Sequence, residues 1–178
     1  MGFFSRLFGS KKKVVVPETP SVLMEKPRQV ESSANTGISY DPELVKKLKE
    51  DHQSLFKIYE ALTATTNRGD YTAIQPLLSE LKLAFQTHIM LENVKFYVYL
   101  QQSLSHDPEL TAFLTEVRQE MNGIARALVK FVNAYSTSSF TTEMAASFKA
   151  ELEGIGAVLT KRVELEESRL YTLYLPNY

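Results

Sequence analysis

The chain has 178 residues, 44 % of them apolar, enough for one sizeable core and a single domain. Its net charge of −1 gives no pull toward nucleic acid, and the basic residues are spread along the chain instead of gathered in one stretch. Cysteine is absent, which excludes disulfides, thiolate catalysis and zinc–thiolate sites and suits a cytoplasmic protein.

Residues 1–13 set Phe3, Phe4, Leu7 and Phe8 around Arg6, and Lys11, Lys12 and Lys13 follow. No run approaches the eighteen or so apolar residues of a spanning helix. The basic cluster follows the apolar part, the wrong order for a secretion signal, and Arg6 breaks the myristoylation pattern. As a helix, positions 4, 7 and 8 share one face and the segment is a short anchor at the inner membrane surface. Otherwise it is a sticky terminus, since so short a helix is marginal in water. Residues 14–39 carry Pro17, Pro20 and Pro27 without a helical period, and read as a disordered linker.

From residue 40 to 178 the punctuation is regular. Asp41-Pro42 reads as a cap followed by an N1 proline, Asn67-Arg68-Gly69-Asp70 as a stop and a new cap, Asp107-Pro108 as a second cap-plus-proline, and 136–142 as a polar break. Helices are expected near 42–66, 71–104, 108–135 and 142–174. Apolar residues alternate three and four apart: Leu44, Leu48, Leu55, Tyr59 and Leu62 in the first; Ile74, Leu78, Leu81, Phe85 and Phe96 in the second. The third is an unbroken seam from Leu110 to Tyr135, and the fourth runs from Met144 to Leu173. Short links between long amphipathic helices force antiparallel neighbours. The fold class is all-α, an up-down-up-down four-helix bundle. Gly123, Gly154 and Gly156 fall inside helices, where close packing accounts for them.

The gaps in these seams are filled by His52, His88, Glu92, Arg162 and Glu166. A buried charge or imidazole costs several kcal/mol unless paired or bound to metal, so their presence on the core line demands a reason. Counting rises along the helices sets His52 opposite His88 within a turn and Arg162 about two turns away, giving one polar layer or two. His88 and Glu92 form H-x-x-x-E, which puts both side chains on one face where they can share an ion. His106 stands in a loop and is expected to be exposed. Tyr97, Tyr99, Tyr171 and Tyr174 gather at helix ends, as ordinary packing or as a contact patch. No nucleophile motif accompanies the Ser, His and carboxylates, so no catalytic residue is assigned and no enzymatic activity is expected.

The stretches LKEDHQSLFKIYEAL, FQTHIMLENVKFYVYL and LTKRVELEESRLYTLYLP resemble the first, second and fourth helices of the hemerythrin-like, HHE cation-binding family. The resemblance implies a bundle holding a non-heme di-iron centre for oxygen binding or sensing, with His52, His88, Glu92, Glu166 and Glu167 at ligand positions. Two positions depart from it. Met121 stands where the third helix should present histidine, and Arg162 where the fourth should. Arginine stays protonated and cannot ligate a cation. The expectation is therefore a bundle without a metal cofactor, the guanidinium replacing the ion and pairing with Glu92 or Glu166. A non-heme iron or other cation site, for oxygen binding, sensing or storage, is the alternative. The run from Arg162 to Leu170 also resembles the last helix of the Rsd/AlgQ family, four-helix regulators of the principal bacterial sigma factor. Together the two resemblances imply a regulatory module that binds another protein, a sigma factor among the candidates.

Overall fold

The computed structural model describes residues 37–136 and 140–176. The expected anchor (Phe3, Phe4, Leu7, Phe8, Lys11, Lys12, Lys13) and the linker as far as residue 36 lie outside these residues. Four helical rods follow one another, and no strand occurs among the described residues. The first is α1 (Leu44–Arg68). The second joins α2 (Ile74–Leu91), a π-helical turn (Glu92–Phe96) and α3 (Tyr97–Ser103). The third is α4 (Pro108–Tyr135). The fourth joins α5 (Thr142–Leu165), a second π-helical turn (Glu166–Leu170) and a 3₁₀ turn (Tyr171–Leu173).

Local chemistry sets the ends. Asp107 accepts a hydrogen bond from the Leu110 N–H at 3.0 Å, with Pro108 at the first helical position, as expected. Gly69 closes α1 with φ at 72°; its own N–H bonds the carbonyl of Thr66, and the N–H of Asp70 bonds that of Thr65. The first start differs from expectation. α1 begins at Leu44, and Asp41 instead accepts from the Glu43 N–H while its other oxygen pairs with Lys95. Pro42 thus belongs to the turn before the helix.

In cyclic order each rod packs on two neighbours: α1 against α2 and α5, and α4 against α2 and α5. Short connections make successive rods antiparallel. The expected seams are buried, with Tyr59, Leu110, Met144 and Leu173 only half-buried. Gly156 makes room for the ring of Tyr59, which a Cβ there would strike. Ile38 and Tyr40 pack against one end of the bundle, so the chain is already docked two residues before the expected boundary of the linker.

The core falls into two apolar clusters. One, around Leu62, Leu78, Phe85, Phe131 and Phe148, fills the end where α1 turns into α2. The other, around Leu48, Phe96, Leu100, Leu114 and Leu170, fills the opposite end. Tyr97, Tyr99, Tyr171 and Tyr174 are all buried in this second cluster; they are packing, not an exposed contact patch. Between the clusters lies a polar layer.

Candidate metal centre

All five seam-breaking residues are buried: His52, His88, Glu92, Arg162 and Glu166 are each at most 3 % exposed. They form one layer, not two. His52 comes from α1, His88 from the last turn of α2, Arg162 from the last turn of α5, and Glu92 and Glu166 each open a π-helical turn.

The second and fourth rods repeat one device. His88, Glu92 and Tyr97 are spaced as Arg162, Glu166 and Tyr171 are. In each case the tyrosine N–H bonds the carbonyl of the glutamate five residues earlier. The extra residue in the turn returns the tyrosine to the face of the glutamate, where α-helical spacing would have rotated it away. Each phenol then reaches across the bundle. Tyr97 accepts from Nη2 of Arg162 at 2.6 Å, and Tyr171 donates to Oε1 of Glu92 at 3.1 Å. These two tyrosines were absent from the sequence-derived site. The signal was present, as E-x-x-x-x-Y following both polar pairs.

Each nitrogen of Arg162 has a partner. Its Nε donates to Oε1 of Glu166, Nη1 to the carbonyl of Val117 at 3.1 Å, and Nη2 to Tyr97. Of the two partners expected for it, Glu166 is the one it takes. His52 stands between two carboxylates, with Nε2 3.0 Å from Glu166 and Nδ1 2.9 Å from Glu167. Both nitrogens facing acceptors must carry hydrogens, which is the imidazolium. Burial opposes that charge, but the two carboxylates outweigh it and raise the pKa. Glu167 is the outermost member, with its side chain 35 % exposed.

His88 and Glu92 are the opposite case. Burial lowers His88 to about 4, so it is neutral. Burial first, then the negative charge of Glu166, raises Glu92 far above the carboxylate range. Glu166 itself is lowered: burial opposes its charge, and His52 and Arg162 overcome the opposition. The layer is therefore electrically balanced, with His52 and Arg162 positive against Glu166 and Glu167.

Two atoms are left over. Nδ1 of His88 and Oε2 of Glu92 are buried without a hydrogen-bond partner among the described residues. Nδ1 lies 3.9 Å from Asp51, and Nε2 of His88 lies 4.0 Å from Oε2 of Glu92, both beyond bonding range. His52, His88 and Glu166 present ligand atoms within 4.8 Å of one another. This half of the layer has the donors for one small cation only once His52 has given up the proton on one ring nitrogen. The other half does not: the fixed cation of Arg162 is paired there with Glu166, and Met121 is packed into the first apolar cluster.

The sequence from 43 to 174 matches the model of the hemerythrin HHE cation-binding domain, nearly the whole described bundle. The chain belongs to that family. No curated protein and no solved structure matches the chain. The comparisons lend no support to the Rsd/AlgQ resemblance. His106, as expected of a loop residue, is exposed and far in sequence from the other histidines.

Proposed function

We propose that this member of the hemerythrin HHE family is a non-enzymatic regulatory module that binds another protein, with the Arg162 guanidinium standing permanently in place of one cation. The observation that carries the reading is that every nitrogen of Arg162 is engaged inside the layer, by Glu166, Val117 and Tyr97. A fixed charge so held cannot leave and return as an ion does, so the centre's role becomes structural.

Elemental analysis of protein purified without chelator is the test, with iron well below one equivalent expected. The double change Met121→His with Arg162→His restores both missing imidazoles and should raise iron uptake. One equivalent of iron in the unaltered chain would overturn the reading.

A second reading is favoured by the two orphaned atoms and the converging donors of His52, His88 and Glu166. In it, those residues with Glu92 would hold a single divalent cation, whose positive charge would displace the protons that His52 and Glu92 otherwise keep. Equilibrium dialysis with Fe²⁺, Mn²⁺ and Zn²⁺ separates the two. Saturation at one ion per chain, abolished by His88→Ala, is the result that selects the second.

A further inference from the structure

Between α2 and α4 runs an open groove of about 590 Å³, floored by Phe85, Ile89, Met90, Ala125 and Val129. It lies outside the polar layer and takes no part in it. Met90 is 62 % exposed, and Leu83 and Val94, seven residues before it and four after, are 68 % and 51 % exposed. Those spacings put all three on one face of the second rod, so the groove continues into an apolar stripe open to solvent. A soluble bundle has no internal reason to present three such residues in line.

The rim is of one sign. Arg126 and Lys130 line the groove, and no carboxylate does. At one end Lys82 donates to Asn133 at 3.3 Å, and at the other Arg118 donates to Asn93 at 2.9 Å, each bond joining the same two rods. Basic residues that look dispersed in the sequence are thus gathered along one groove by the antiparallel packing of α2 on α4. The distance from Lys82 to Asn93 along the helix is roughly 16 Å, the length of about three helical turns.

We propose that this groove docks an amphipathic helix of a partner protein, about three turns long, with an apolar stripe and acidic flanks. A cleft between two helices offers ridges for a third helix to pack on, and no strand edge for an extended peptide. Charge selects among occupants. A second copy related by a twofold axis would set these four cations against their own images, and the chain's own N-terminal segment carries Arg6, Lys11, Lys12 and Lys13. Both are of the wrong sign. The inference rests on the binding-module reading, yet the two fail separately, since metal assays probe the polar layer alone and the following test probes the groove alone.

The full chain is titrated, by fluorescence anisotropy, against a panel of synthetic four-turn helical peptides with Leu, Ile or Phe stripes and Glu flanks. The same panel with Lys for Glu is the control. Saturable binding to the Glu panel, weakened by salt and at least about tenfold tighter than to the Lys panel, is expected. Arg126→Glu with Lys130→Glu should invert that preference. Both residues are exposed, and unchanged thermal melting confirms that the variant is folded. Equal binding of both panels, or of neither, overturns the proposal. So does a dimer in sedimentation that Met90→Asp dissolves, or binding that appears only once Phe4 and Phe8 are changed to serine, since either shows a different occupant.

Discussion

Arg162 lies deeper than an arginine usually does, at 3 % exposure, and what surrounds it fixes what its loss would do. Burial works against its charge, and the carboxylate of Glu166 more than restores it, holding the guanidinium above even its ordinary value. Removing one partner of such a pair leaves the other charged and buried. Arg162→Ala would strip Glu166 of its bidentate-capable cation, leaving His52 as its remaining charged neighbour, and would free Tyr97 and the Val117 carbonyl as well. A loss of about 3–5 kcal/mol in urea unfolding is expected. Arg162→Met with Glu166→Gln removes both charges and keeps the volume, so it should cost clearly less than Arg162→Ala alone. If the double change proves the more damaging, the pairing of these two residues is not what Arg162 contributes.

At the scale of elements, helix ends were legible in the sequence wherever a single residue type has a single physical use. Asp107-Pro108 marks the start of α4 because a carboxylate can accept an orphan N–H and a proline has none to lose. Gly69 marks the end of α1 because its φ of 72° costs a side chain energy. Since a Cβ on Gly69 would meet nothing within 4 Å, Gly69→Ala isolates that backbone term. It should destabilise the bundle by about 1 kcal/mol, and Gly69→Asn by less, since asparagine tolerates the left-handed region. Equal urea midpoints for all three proteins would rule out this account of the α1 stop. The π-helical turns were not legible. An insertion of one residue is absorbed by the ordinary alternation of three and four, so the seam through Glu92 and Glu166 reads as continuous helix. With the turns went Tyr97 and Tyr171, which reach the polar layer only because the extra residue rotates them back. The basic groove was hidden for another reason: Lys82 and Arg118 sit on different rods, and their proximity to one line exists only after packing.

Across the whole molecule, the buried layer sets how stability responds to pH, and its members push in opposite directions. The five residues were identifiable from the sequence as interruptions of an apolar seam, but their protonation depends on contacts that only the fold creates. His88 is lowered by burial to about 4 when folded, against 6.5 when exposed, so acidification through that range favours the unfolded chain, which takes up the proton first. Glu166 is lowered as well, and its contribution, present above the ordinary value of 4.5, is lost as the pH falls through its folded pKa. Glu92 does the reverse: it keeps its proton to about 8 when folded but to only 4.5 when exposed, so stability drains as pH rises through that window. His52, raised by Glu166 and Glu167, contributes fully below 6.5 and loses its contribution above its folded pKa. Between pH 4.5 and 6.5 His88 and Glu92 oppose one another, and the urea midpoint in the presence of chelator should be nearly level. From 6.5 to 8 only the losses remain. At roughly 1.4 kcal/mol per pH unit for one proton, Glu92 alone should remove about 2 kcal/mol over that interval. Glu92→Gln keeps the shape without the titration, so its midpoint should fall much less between pH 6.5 and 8 while still falling in acid, where His88 and Glu166 are unchanged. A variant that loses stability on the alkaline side as steeply as the unaltered chain would show that Glu92 does not hold a proton in the folded bundle.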